Sequence, residues 1–538
     1  MERRRFLAAL LAAGVAAPLV RARAAVAGDG WDAAFRAARQ GDPSLMAYES
    51  APLEGYAPTA LTIEGRWPAE LSGTLYRNGP ARHTVFGQRY HHLFDGDGMV
   101  HRYAVGPNGV SHRARYVETA KFRAENAAGR ALESTFGTAL RPPASADAIN
   151  VANTSVMLQD GRLLALWEGG SAYALDPEDL STRGPVHWSD ETAGLPFSAH
   201  PQADADGSTW NIGMLGYQGR AVIYHLSATG DLLAATLVPL PMHSLVHSFL
   251  VTERQLIIPL PPFVHQQDRA DAGLSFLDSH AWRPELGTQV MILPKDAPDR
   301  PRLVALPAGF IYHYGNGWES ADGTIRFDAC WYDDPSLTTE TLRGVMRGEH
   351  RAGTAAKAAM IEIAPGAGEG RLVRSALSVE FPAIDRRFAT RRNRFVYAVG
   401  RQTAPAAGLE NLSAVLRHDV ESGAVQSFDY GPGVIAEEHL FVPKPGGGRR
   451  GCRLADRHQS RHRARADADR GARCRTARRW AARGRQPALR HADRLSRQLR
   501  AEDLMLFIWR EFLSFGWVHP NGKRARIRAV STSADALS

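Results

Sequence analysis

The chain has 538 residues, 44% hydrophobic and 22% charged, which is the balance of a soluble globular protein and supplies a core for two ordinary domains or one large all-β domain. No apolar run reaches the roughly 18 residues of a membrane span. The formal charge of +9 invites an anionic partner, but residues 449–500 alone hold 18 Arg, no Lys and four Asp, so the rest is net negative and a generally basic, nucleic-acid-binding chain is excluded.

The N-terminus reads "MERRRFLAALLAAGVAAPLVRARAAVAG". Arg3 and Arg4, then Arg5, Phe6 and Leu7, resemble a twin-arginine export signal. An apolar stretch follows to Val20, and Ala-x-Ala sites end at Ala24 and Ala27. The expectation is export of a folded protein to the periplasm by the twin-arginine machinery. Three cysteines, two of them inside the Arg-rich window, make no disulfide framework.

A helix is expected near residues 30–40 and another over "ENAAGRALE" (125–133). Elsewhere, from about 60 to 445, short β-rich runs are punctuated by Gly, Asp, Asn and Pro. "GRLLALWEGGSAYALDP" (161–177), "RAVIYHLSATGDLLAATLVPL" (220–240) and "HSFLVTERQLIIPLP" (247–261) read as strand–turn–strand. Many short strands over nearly 400 residues favour a β-propeller over a very large sandwich, although no fixed-period repeat stands out.

Histidines recur at strand ends: His200 in "FSAHPQADADG", His247 in "LVHSFLVTE", His313 in "FIYHYGNGWE", and several in "YHHLFDGDGMVH". A single such His is ordinarily a satisfied core or turn residue. Three on separate strands gain meaning if the strands converge, as propeller strands do. Imidazole suits Fe(II), Zn and Cu, and an all-imidazole set with open positions suits dioxygen chemistry on iron.

"YRNGP" (76–80), "YHHLFDGDGMVH" (90–101), "LLALWEGG" (163–170), "AHPQAD" (199–204), "HSFLVTE" (247–253), "FIYHYGNGWE" (310–319), "VEFPAID" (379–385) and "EEHLFVP" (437–443) occur in this order. In this the chain resembles the carotenoid cleavage oxygenases over roughly residues 50–445. The resemblance implies an all-β, seven-bladed β-propeller with iron, as Fe(2+), on its axis. It also implies a non-haem dioxygenase that cleaves a conjugated C=C bond of a carotenoid or apocarotenoid with O2 to two carbonyls. By motif, His200, His247 and His313 would be metal ligands, with His243 in "PMHSLVH" a rival for the second. Glu168, Glu380 and Glu438 would orient the ligand imidazoles by accepting their other N–H. The substrate would be a hydrophobic polyene or stilbene-like molecule in an apolar tunnel, with "LIIPLPPFV" (256–264) a candidate wall or rim and with peripheral membrane contact. Stilbene-cleaving members tend to carry Lys just before the Glu of the "LWEGG" motif; Trp167 stands there, which favours an apocarotenoid. The alternatives are a lignostilbene-type dioxygenase or a ligand-binding propeller without catalysis.

The fourth His of that family lies in a C-terminal Gly-Phe-His-Gly-like turn, and nothing after Pro443 matches it. Only His491 and His519 stand at roughly suitable positions, so the fourth ligand is unknown. A reading-frame shift near Gly446–Arg450 accounts for this and for the arginines together. Codons permitted for Gly451–Gln459, read one base later, give Ala-Ala-Gly-Trp-Leu-Ile-Gly-Thr. Those for Leu489–Glu502, at the same offset, give a segment containing Gly-Phe-His-Gly. The expected organisation is a signal (1–27), a propeller dioxygenase domain (28–447) and an aberrant, out-of-frame tail (448–538) that leaves the last blade disrupted and the enzyme impaired. A nucleic-acid-binding arm would interleave Lys and aromatics, and this window has one Trp and no Lys.

Overall fold

The computed structural model describes residues 30–64, 71–107, 109–351, 353–401, 412–431, 434–443 and 526–528. The export signal, the Arg-rich window, His491 and His519 lie outside them. The fold is mostly β and consists of successive antiparallel sheets. Strands Tyr56–Glu64, Gly73–Arg82, Asp97–Gly106 and Gly109–Tyr116 form the first, with Arg526–Arg528 added in parallel beside Tyr56–Glu64. The second holds Ser155–Gln159, Arg162–Leu166, Tyr173–Leu175 and Thr182–Pro185. The third holds Gln202–Ala203, Thr209–Leu215, Arg220–Leu226 and Leu232–Pro239, and the fourth Leu250–Val251, Gln255–Leu260, Thr288–Pro294 and Arg302–Leu306. A seven-stranded sheet runs from Phe310–Glu319 to Val425–Asp429.

Side chains alternate across each strand, and here both faces are covered. Leu163 and Ala165 pack with Tyr76 and Val100 of the first sheet, whereas Leu164 and Leu166 pack with Val222, Tyr224 and Leu226 of the third. Leu256, Ile258 and Leu260 meet the third sheet; Ile257 turns the other way, onto Ile311, Phe327 and Trp331. Full burial of one such Leu or Ile stabilises the fold by about 1.5–3 kcal/mol. This is why "LLAL" and "LIIPL" read as unbroken apolar runs. For Leu256–Leu260 it also corrects the reading as a tunnel wall or rim, because this part of 256–264 is a central strand buried on both faces.

The seven-stranded sheet is two antiparallel meanders joined by one long strand, Arg371–Ala383. Its first part pairs with Lys357–Ile363; from Ser378 onward it pairs with Phe395–Arg401. The first helix covers Trp31–Gly41 as expected. The second spans Ala120–Ala128, earlier than the sequence suggested. Thr119 caps it by accepting from the Phe122 N–H (3.2 Å), and Gly129, at φ 66°, ends it.

Candidate metal centre

Three of the sheets deliver one imidazole each from their first strand or the turn leading into it. His200 precedes Gln202–Ala203, His247 precedes Leu250–Val251, and His313 lies within Phe310–Glu319. One nitrogen of each lies within 4.8 Å of the others. Ring centroids are 4.5 Å apart for His200–His247, 5.4 Å for His200–His313 and 5.1 Å for His247–His313. His313 is set by an irregular strand, whose register with Ile325–Tyr332 shifts on either side of Tyr314. The Asn316 N–H freed there donates to Asp328 Oδ1 at 3.0 Å. Gly315 is required beside it, since a Cβ would stand 2.0 Å from Asp328 Oδ2.

Two carboxylates, Glu380 buried and Glu168 half-buried, orient two of the rings. Glu168 Oε1 accepts from His247 Nδ1 at 2.7 Å, and Glu380 Oε2 accepts from His313 Nδ1 at 2.6 Å. Burial pushes both carboxyls up, but the adjoining imidazole and the hydrogen bonds outweigh it, so both lie below the ordinary glutamate value. An ionised carboxylate can only accept. In the neutral rings the proton of His247 and of His313 then sits on Nδ1, which leaves Nε2 its lone pair. Burial lowers the His313 basicity, and the charge of Glu380, with contributions from Glu438 and Glu168, more than restores it. His200 is held well below the usual histidine range by burial and by the two neighbouring rings.

His200 Nε2 and His247 Nε2 face each other at 2.8 Å. Two cis ligands on a metal about 2.1 Å from each nitrogen stand about 3.0 Å apart. The donor set, neutral imidazoles with lone pairs converging and outer nitrogens tied to carboxylates, fits a first-row divalent cation.

Other histidine candidates fall elsewhere. His243 packs against Gly219, outside the cluster. His92 is a satisfied core residue, its Nδ1 accepting from Phe94 N at 3.1 Å while Nε2 meets the Thr338 carbonyl at 3.0 Å. The charge of Glu438 contributes to raising the basicity of His313, in keeping with a place near the cluster, and its neighbour Glu437 is buried in an ion pair with Arg77. Two residues were missed. Thr154 Oγ1 donates to Glu168 Oε2 at 3.1 Å, and the Tyr332 hydroxyl donates to Glu380 Oε1 at 2.6 Å. Neither carries a sequence signal: Tyr332 acts on a carboxylate 48 residues on, and Thr154 on one 14 residues on, across a hairpin whose register the sequence does not state.

The profile of the retinal pigment epithelial membrane protein family matches residues 48–458. The apocarotenoid-15,15'-oxygenase of Synechocystis is 29% identical over 432 residues, covering 75% of this chain and 85% of that protein. Lignostilbene-alpha,beta-dioxygenase isozyme III of Sphingomonas paucimobilis is 31% identical over 224 residues, but this covers only 40% of this chain and 45% of that one. The cobalt-substituted Synechocystis apocarotenoid oxygenase superimposes with a TM-score of 0.66 at 25% identity, over 75% of this chain and 87% of that one. The chain belongs to the retinal pigment epithelial membrane protein family, and so to the carotenoid cleavage oxygenases.

Proposed function

We propose that this oxygenase is a seven-bladed propeller holding Fe(II) through His200, His247 and His313, and that it cleaves a conjugated C=C bond of an apocarotenoid. The observation that carries this reading is the convergence of three imidazole rings, each with a nitrogen within 4.8 Å of the others and two of them held at Nδ1 by Glu168 and Glu380. When bound, Fe(II) supplies the redox partner that lets dioxygen attack a closed-shell polyene; one O2 and one C=C give two C=O groups. The protein's part is to bind, orient and exclude water. Glu168 and Glu380 keep the Nδ1 protons in place, so the ligand lone pairs stay aimed inward. Around them, Tyr312 lies 5.0 Å from the His247 ring, and Phe381 lies 5.0 Å from that of His313. Phe94 stands edge-on to Tyr312 at 6.3 Å and packs on Phe136 at 5.7 Å. These rings offer an apolar, polarisable wall suited to a polyene, and the chemistry requires no general acid–base pair.

Near full-length likeness to an apocarotenoid oxygenase, against partial likeness to a stilbene dioxygenase, favours the polyene. Trp167 points the same way, since it offers no cation to a phenolate. The twin-arginine signal would deliver the folded protein to the periplasm, where an apolar substrate is drawn from a membrane surface. The out-of-frame tail would leave the site without its fourth imidazole and lower its hold on iron.

The test is oxygen uptake by purified, Fe(II)-loaded protein given an apocarotenal or a hydroxystilbene. Two carbonyl products from the apocarotenal, with one O2 consumed per bond, are expected. Faster turnover of the stilbene would overturn the substrate assignment. Polyene binding without iron or oxygen uptake would make this a non-catalytic propeller.

A further inference from the structure

We infer that Tyr332 is a positioning residue for the metal centre, and that its hydroxyl sets how strongly His313 donates to the metal. This rests on the reading of His313 as a ligand. Three strands meet in the arrangement: His313 lies on Phe310–Glu319, Tyr332 ends the neighbouring strand Ile325–Tyr332, and Glu380 lies on Arg371–Ala383. The Glu380 carboxylate accepts three hydrogen bonds. Oε2 takes His313 Nδ1 at 2.6 Å and the Phe381 N–H at 2.8 Å, and Oε1 takes the Tyr332 hydroxyl at 2.6 Å. On Glu168, its counterpart on His247, the second oxygen takes the Thr154 hydroxyl at 3.1 Å. The two carboxylate–imidazole pairs are therefore built unequally: Glu380 takes a phenol at shorter distance where Glu168 takes an aliphatic hydroxyl, and it takes the Phe381 N–H besides.

The Tyr332 ring has little freedom to place that hydroxyl anywhere else. It is 2% exposed and packs among Leu245, Phe263, Phe310 and Val379, with Tyr312 edge-on at 6.0 Å. A phenol donating to one carboxylate oxygen draws electron density from the other. Glu380 then pulls less on the His313 Nδ1 proton, and the imidazole stays closer to neutral than to imidazolate. Without that bond Glu380 becomes a stronger acceptor and His313 a stronger donor, which favours the oxidised metal. Glu380 also loses one of its three restraints, so the ring is less well aimed.

Tyr332→Phe removes the hydroxyl and keeps the ring, so no cavity opens. The full-length protein and this variant would be titrated with Co(II) against a competing chelator, the cobalt ligand-field spectrum recorded, and the Fe(III)/Fe(II) midpoint potential measured on iron-loaded samples. Glu380→Gln serves as the reference for loss of the carboxylate, and thermal unfolding of the metal-free proteins reports folding. The expected result for Tyr332→Phe is a change in cobalt affinity smaller than that for Glu380→Gln, since a stronger donor and a less well aimed ring act in opposite directions. A shifted ligand-field band and a more negative midpoint potential should accompany it. If Glu380→Gln weakens binding while Tyr332→Phe leaves affinity, spectrum and potential unchanged, or lowers only the unfolding temperature, the inference is overturned and the metal site stands. If the parent protein takes up no cobalt or iron, the ligand assignment falls, and the role of Tyr332 falls with it.

Discussion

Replacing Glu168 by Gln should weaken metal binding with little change in fold. The carboxylate spans two partners, with Oε1 2.7 Å from His247 Nδ1 and Oε2 3.1 Å from Thr154 Oγ1. A glutamine can keep this geometry, its oxygen facing Nδ1 and its NH2 facing a hydroxyl that can accept, so what is lost is the charge. Charge-assisted hydrogen bonds are worth about 1.5–3 kcal/mol against about 0.5–1.5 for neutral ones. The difference of about 1–2 kcal/mol corresponds to about 5–30-fold in affinity, which overlaps the 10–100-fold typical of partners behind metal ligands. Competitive Co(II) titration measures the loss, and thermal unfolding without metal checks the fold. Affinity within twofold of the parent would refute the role of Glu168 in holding the His247 tautomer.

Three further outcomes are expected. Burial pushes the Asp328 carboxyl up to about 7, above its unfolded value of about 3.9, so the folded protein keeps a proton that the unfolded chain has shed. Stability should then fall as pH rises from about 4 to about 7 and level off above, and Asp328→Asn should remove that part of the slope; parallel denaturation curves for the two proteins would contradict it. Replacing Arg3 and Arg4 by Lys should leave the precursor uncleaved in the cytoplasm, as fractionation and mass spectrometry would read; unchanged export means a signal of another kind. A single-base change near codon 447 that restores a Gly-Phe-His-Gly turn should raise bound iron toward one per chain and increase cleavage; tight stoichiometric iron in the unaltered chain would end the frameshift account and bring His491 and His519 forward.

What could be read from the sequence depended on whether the signal was local. "FIYHYGNGWE" and "LWEGG" carry their residues in one short stretch, and the structure brings His313 and Glu168 into the cluster those stretches suggested. Strand pairs such as Arg220–Leu226 with Leu232–Pro239 were legible because the turn residues lie between them. Tyr332 was not, because it reaches Glu380 from a strand 48 residues earlier, and Thr154 was not, because its reach to Glu168 depends on the register of the hairpin that begins beside it. The run at 256–264 misled for a related reason: composition reports that a segment is apolar but not which surface covers it, and Leu256–Leu260 is covered by protein on both sides. The second helix was displaced because its start depends on the Thr119 cap, outside the stretch that looked helical.

Strands covered on both faces also constrain how the chain can be made. A sheet such as Arg162–Leu166 with its neighbours presents half its apolar surface to the sheet before it and half to the sheet after it, so it gains little by forming alone. During synthesis each new sheet must wait, sticky on one side, until its successor emerges from the ribosome. Cooperativity therefore belongs to the stack, and a defect at one interface is felt by the sheets on either side of it.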